Sequence, residues 1–342
     1  MSDATLARVL AGVIMLALNA YALLGGADFG GGVWDLLASG PRRARQREVI
    51  ADAIGPIWEA NHVWLILAVV LLFTCFPAAF ARLAIVLHIP LALLLVGIVL
   101  RGSAFTFRSY DSRRDAVQRR WGAIFSGASI ITPLLLGAAV GALATGRVAA
   151  PAGGFVASYL RPWATPFALA TGLLALTLFA FLAAAYLTIE AGDDRPLADD
   201  FRRRALGAGA IAIIIAGGTL LLARRGAPIV HEGLMGSRWA VPLHAAAALA
   251  AVASLGALAL RRYRLARIAA AALVSLVIWG WGAAQFPYLV PPDLSVVQTA
   301  APATTLRFVS LGLMAGALIL VPSLVYLFRV FKSAGSGHAS HG

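Results

Sequence analysis

Residues 7–37 read ARVLAGVIMLALNAYALLGGADFGGGVWDLL, an apolar run broken by glycines and by the carboxylates of Asp28 and Asp35. As one helix, its roughly 31 residues would reach about 45 Å, well beyond the ~30 Å of a bilayer's hydrocarbon core. The stretch therefore reads as a membrane crossing that tilts strongly or projects at one end. Burying a carboxylate in such a run is costly, so Asp28 reads as a functional residue rather than a stabilising one. Asp35, seven residues on, shares its face and lies nearer the end of the run. It reads as an interfacial, solvated acid, with the admission of water or protons as its other role. Gly25, Gly26, Gly30, Gly31 and Gly32 remove side-chain bulk where a neighbouring helix can approach. A dinucleotide loop would need a preceding strand and a βαβ setting, and the sequence offers neither.

The rest of the chain is built the same way. Its 342 residues are 61% hydrophobic and 13% charged, with a mean hydropathy of +0.85, too apolar for a soluble domain of this size. Apolar runs between charged or Pro/Gly-rich breaks give nine spans near 7–37, 50–74, 80–104, 121–144, 163–189, 205–223, 239–260, 266–288 and 304–328. Runs this long without strand alternation favour helices over a barrel. The expectation is an all-α polytopic membrane protein, with one transmembrane domain over 1–332 and a short flexible cytoplasmic tail over 333–342. Only Arg8 precedes the first apolar run and no persuasive cleavage site follows it, so the segment reads as a retained anchor. Cys75 is the single cysteine, which excludes an internal disulfide and reads as a small buried hydrophobe.

The formal charge of +13 sits in short clusters between apolar runs, a topology signal rather than a nucleic-acid face. Arg42, Arg43, Arg45 and Arg47 follow the first span. Arg101, Arg108, Arg113, Arg114, Arg119 and Arg120 follow the third. Arg195 with Arg202 to Arg204, then Arg261, Arg262, Arg264 and Arg267, then Arg329 with Lys332, fall on that same side. The positive-inside bias puts the N-terminus outside and the C-terminus in the cytoplasm.

A second acid lies in GPIWEANHVWLILAVVLL, residues 55–72. If the first two spans are antiparallel neighbours, Asp28 and Glu59 fall at similar depth, separated from bulk water by part of the membrane. Such a pair suits a proton relay; an ion pair with an arginine or a neutral packing contact are the alternatives. His62 shares a helical surface with Glu59 and is placed either to pass a proton or to hydrogen-bond between helices. Trp58 and Trp64 suit interhelical packing or a large planar group. Arg101 is close enough to an apolar run to compensate a buried carboxylate, and Arg108 suits a loop or lipid phosphate. His88 and His244 read as satisfied polar residues; with His231 they give neither metal-ligand spacing nor paired axial haem ligands. In WGWGAAQFPYLVPPDLSV, Trp279, Trp281, Gln285 and Tyr288 read as an outer aromatic belt, and Pro287, Pro291 and Pro292 mark a helix exit.

The order and spacing of GGADFGGG, GPIWEANHVWLI, RGSAFTFR, QFPYLVPP and APATTLRFVSLG resemble subunit II of the cytochrome bd family of quinol oxidases, including its cyanide-insensitive members. The resemblance covers nearly the whole chain. It implies two four-helix bundles with one peripheral helix, in a bacterial inner membrane. Asp28 matches the acid of the family's first-helix GFDxG motif, Glu59 the acid of WDGNxVWL, and Arg101 the basic residue near the end of the third helix. Glu59 stands for the more familiar Asp, Ala60 for Gly, and Ala27 for an aromatic. The resemblance further implies a haem-binding subunit I carrying haem b and haem d and small single-helix accessory subunits. Ubiquinol or menaquinol would be the substrate, oxygen would be reduced to water, and some relatives hold a structural quinone. Asp28, Glu59 and Arg101, with His62 added, would then form a cytoplasmic proton-transfer network. The alternatives are a proton-coupled transporter and a purely structural assembly subunit.

Overall fold

A computed structural model describes residues 2–55, 58–110, 115–148 and 153–334. The side chains of 58–60, 108–110 and 115–119 and several beyond 320 lie outside this description, as does the tail from 335. Helix α1 (Asp3–Leu36) is a single 34-residue rod whose N-terminus is capped by Ser2 through its bond from the Thr5 amide. Helix α2 (Arg43–Ile54) is polar and lies on the arginine-rich face. Helix α3 (Trp58–Cys75) returns across the apolar layer to α4 (Pro77–Val86) and α5 (His88–Tyr110). Helices α6 (Asp115–Ala144), α7 (Pro166–Glu190), α8 (Arg195–Gly226), α9 (Pro228–Gly236), α10 (Ala240–Ala259), α11 (Tyr263–Gln285) and α12 (Ala303–Ala334) complete the chain.

Among the described residues, eight helices are long and apolar enough to cross a membrane, and nine if α3 and α4, bent by 117°, count as one span. The reading of about nine spans stands at eight to nine, with two corrections to its bounds. The expected third span at 80–104 begins inside α4, which leaves the line of α3 and lies apart from the crossing helix α5. Pro77 has no amide to continue α3 and suits the first turn of a new helix. The expected second span at 50–74 likewise takes its first residues from α2.

Helix α1 packs against α3, α6 and α7, and α5 lies along α6. Helices α7, α8, α10 and α11 form the second group, joined to the first where α7 meets α1 and α6. Helix α12 lies outside, touching α1 and α3. This matches the expected pair of bundles with a peripheral helix. The α1–α7 contact is close because of Gly30: a Cβ there would collide with the Phe179 carbonyl oxygen and lie 2.7 Å from the Ala183 Cβ. Gly32 does the same for α6, where a Cβ would overlap the Ser129 hydroxyl. The expected helix-packing role of the glycine run is met at these positions.

The QFPYLVPP segment ends α11 at Gln285. It then forms β1 (Tyr288–Val290), antiparallel to β2 (Leu294–Ser295), on the face opposite the arginines. Gln285 is buried and donates to the Leu289 carbonyl, so it braces this turn rather than joining an exposed belt. Trp279 is 40% exposed, consistent with the belt. Cys75 is fully buried.

Candidate functional site

The polar groups of the apolar layer gather around α1. Asp28 is 5% exposed, and its Oδ2 accepts a 2.5 Å hydrogen bond from Asn61 Nδ2 on α3. Asn61 lies three positions after the start of α3, so Asp28 is level with the first turn of that helix. Glu59 is the second residue of α3, within one turn of Asn61 along the axis; its side chain is among those not described. The backbone therefore places the two acids on facing helices, with Glu59 at the helix start rather than deep in the returning span.

Arg101, on α5, is 2% exposed, and its charge acts on both Asp28 and Tyr21. Its guanidinium lies 4.8 Å from the centre of the Phe29 ring and 5.3 Å from that of Phe125, the geometry of cation–π contact. Arg101 Nε donates to Ser129 Oγ on α6 at 3.3 Å, and Ser129 in turn donates to the Phe125 carbonyl at 2.7 Å. Arg101 Nη2 has no hydrogen-bond partner among the described residues. His62 packs its ring 5.8 Å from Tyr21 and 6.4 Å from Phe29. The fold thus brings Asp28, Arg101 and His62 to one place between α1, α3, α5 and α6, with Tyr21, Phe29, Asn61, Phe125 and Ser129 around them.

Sequence reasoning assigned no role to Tyr21, Asn61 or Ser129. Tyr21 had a signal: it precedes Asp28 by seven residues, the spacing that puts two side chains on one helical face. Nothing local marks Ser129, because its partner lies 28 residues away on another helix.

Asp35 is a correction. It is 2% exposed rather than solvated, with Arg47 of α2 at 3.8 Å and the Ser126 hydroxyl of α6 at 3.5 Å. Arg47 Nε also donates to the Asp35 carbonyl at 3.2 Å. The cause is α2, which folds back over the end of α1. Asp200 of α8 holds α2 there, accepting from Arg42 at 2.6 and 2.8 Å and from Gln46 at 2.9 Å. The bond to Asp200 holds the Arg42 guanidinium above its usual range. Arg204 donates to Gln46 and to the Leu37 carbonyl and stacks over Trp34.

His88 is satisfied as expected, its Nδ1 2.9 Å from the Ile85 carbonyl and its ring against Tyr159. Among the described residues, no group of three or more His, Cys, Asp or Glu side chains converges as a metal site.

The family model for cytochrome bd terminal oxidase subunit II matches residues 6–331. A Bacillus subtilis (strain 168) protein, named provisionally as a cytochrome bd menaquinol oxidase subunit II, is 23% identical over 320 residues, covering 91% of each chain. Cytochrome bd-I ubiquinol oxidase subunit 2 of Escherichia coli (strain K12) is 30% identical over 188 residues, 52% of this chain and 46% of that one. The fold is similar to the bd oxidase structure from Geobacillus thermodenitrificans, with a TM-score of 0.76 at 23% identity over 96% of this chain and 98% of the other. A helical membrane scaffold matched along almost its entire length to one family model leaves a single conclusion: the chain belongs to the cytochrome bd terminal oxidase subunit II family.

Proposed function

We propose that this chain, as subunit II of a quinol-oxidising complex, supports assembly with the haem-bearing subunit I and carries protons from the cytoplasm toward the site where oxygen is reduced to water. The observation that carries this reading is the enclosure of Asp28 and Arg101, opposite in charge, in one apolar cluster, each almost fully buried, with the acid held by Asn61 and a guanidinium donor left open. A buried charge pair is a poor source of stability, since desolvation offsets most of its attraction. Its retention in an apolar bundle fits a proton route, where a carboxylate must alternate between charged and neutral forms.

Asp28 would hold the proton at a carboxylate oxygen while Asn61 fixes that oxygen. Arg101 would offset the negative charge when the proton leaves. Glu59, near the start of α3, would be the second carboxylate, and His62 a supplementary proton carrier beside Tyr21. Haem b and haem d in the partner supply the electron chemistry with quinol and oxygen. In this reading the N-terminus lies outside and the arginine-rich face in the cytoplasm of a bacterial inner membrane, the orientation that the positive-inside bias favours.

Affinity purification from native membranes, with a visible spectrum, tests the assignment to a complex: a haem-bearing larger subunit should co-purify. Glu59→Gln tests the proton role. Assembly and haem content should be kept while quinol-driven oxygen consumption falls. Unchanged turnover and unchanged proton uptake in an assembled variant would refute proton transfer and leave the structural reading, in which the acids only dock α1 against α3 and α5.

A further inference from the structure

We propose that Asp35 collects protons at the arginine-rich face and feeds them to Asp28 along one seam of α1, an inference that rests on the proton-delivery reading above. Tyr21, Gly25, Asp28, Gly32 and Asp35 follow each other at alternating steps of four and three, so they form one continuous stripe along the helix. In a packed bundle such a stripe is ordinarily apolar. Here it carries a phenol, two glycines and two buried acids. Opposite it, α6 presents Ser126 and Ser129, both at most 2% exposed, three positions apart, while Thr132 packs against Gly97 of α5. Ser126 reaches Asp35 at 3.5 Å, Ser129 sits against Gly32 and takes Arg101 Nε, and Arg101 acts on Asp28. The polar groups thus line the seam from the end of α1 to the central cluster, with Ser126 and Ser129 about one turn apart on α6.

The Arg47 contact at the outer end is long, 3.8 Å, while α2 is anchored by the much shorter Arg42–Asp200 bonds. Asp200 thus carries the shortest bonds that dock α2, Arg47 adds a 3.2 Å bond to the Asp35 carbonyl, and its side chain, one-third exposed, is the neighbour of the buried Asp35 that reaches solvent. A proton taken by Asp35 from cytoplasmic water would pass inward by hydroxyl exchange. Each serine oxygen, with bridging water between turns, would accept one proton as it releases another, and Asp28 would be the net acceptor. No group on the seam is left changed.

The test uses the purified complex, with time-resolved proton uptake and quinol-driven oxygen consumption measured for Asp35→Asn, Asp35→Glu and Asp28→Asn. Asp35→Asn should retain haem content and slow uptake at least fivefold, and Asp35→Glu should recover most of the rate. Normal uptake in an assembled Asp35→Asn complex, with Asp28→Asn defective, overturns the role of Asp35 and spares the parent reading. Normal uptake in both overturns both. A defect in Asp35→Asn with a normal Asp28→Asn overturns the proposed route between them. Should Asp35→Asn fail to assemble, Ser126→Ala decides. Slowed uptake supports the route, and normal uptake overturns it.

Discussion

Replacing Gly30 by alanine puts a methyl group where α1 and α7 are closest. It would overlap the Phe179 carbonyl and lie 2.7 Å from the Ala183 Cβ. Ordinary carbon–carbon contact is about 3.5–4.0 Å, so the helices must part by roughly 1 Å. The obstructing carbonyl belongs to the α7 backbone and cannot rotate away as a side chain would. Overpacking of this kind costs about 1–3 kcal/mol, while alanine gains ~1 kcal/mol over glycine in helix propensity. Gly12, on the same helix, has no heavy atom within 4 Å of its would-be Cβ. Gly12→Ala therefore takes the propensity gain without the collision, and the difference between the two variants isolates the packing cost. Gly30→Ala should be less stable than Gly12→Ala by about 1–3 kcal/mol in a denaturant titration of the purified complex followed by helix dichroism. Equal stability of the two variants, or a less stable Gly12→Ala, would refute the close-contact account of the glycine run.

Two further outcomes follow from single contacts. Trp34→Phe removes the 2.7 Å bond from Trp34 Nε1 to the buried Ala180 carbonyl. It should destabilise by about 0.5–1.5 kcal/mol in the same titration, and no change would mean that the bond adds nothing to the helical one this carbonyl already accepts. Arg101→Lys keeps the charge near Asp28 but loses the planar face stacked on Phe29 and Phe125. It should assemble with a stability loss of about 1–2 kcal/mol, and wild-type stability would show that the stacking contributes nothing.

Hydropathy made the class of protein and the number of crossings legible, because a long apolar run has few solutions other than a membrane helix. Arginine clustering marked one face for the same reason, and the cost of a carboxylate in lipid singled out Asp28 and Glu59 without any fold. Rotation and neighbour identity are different matters, since hydropathy says that a helix crosses but not what it faces. The turn at Pro77 that sets α4 apart from α5 was hidden inside continuous apolar sequence. Asp35 looked interfacial because its cover, α2, is polar in sequence and is held in place by Asp200, more than 150 residues away. Asn61, Tyr21 and Ser129 became partners of Asp28 and Arg101 only when four helices met. The chain itself set acids within long apolar runs. Which groups surround them, and which of them water can reach, depended on helix contacts made far apart in sequence.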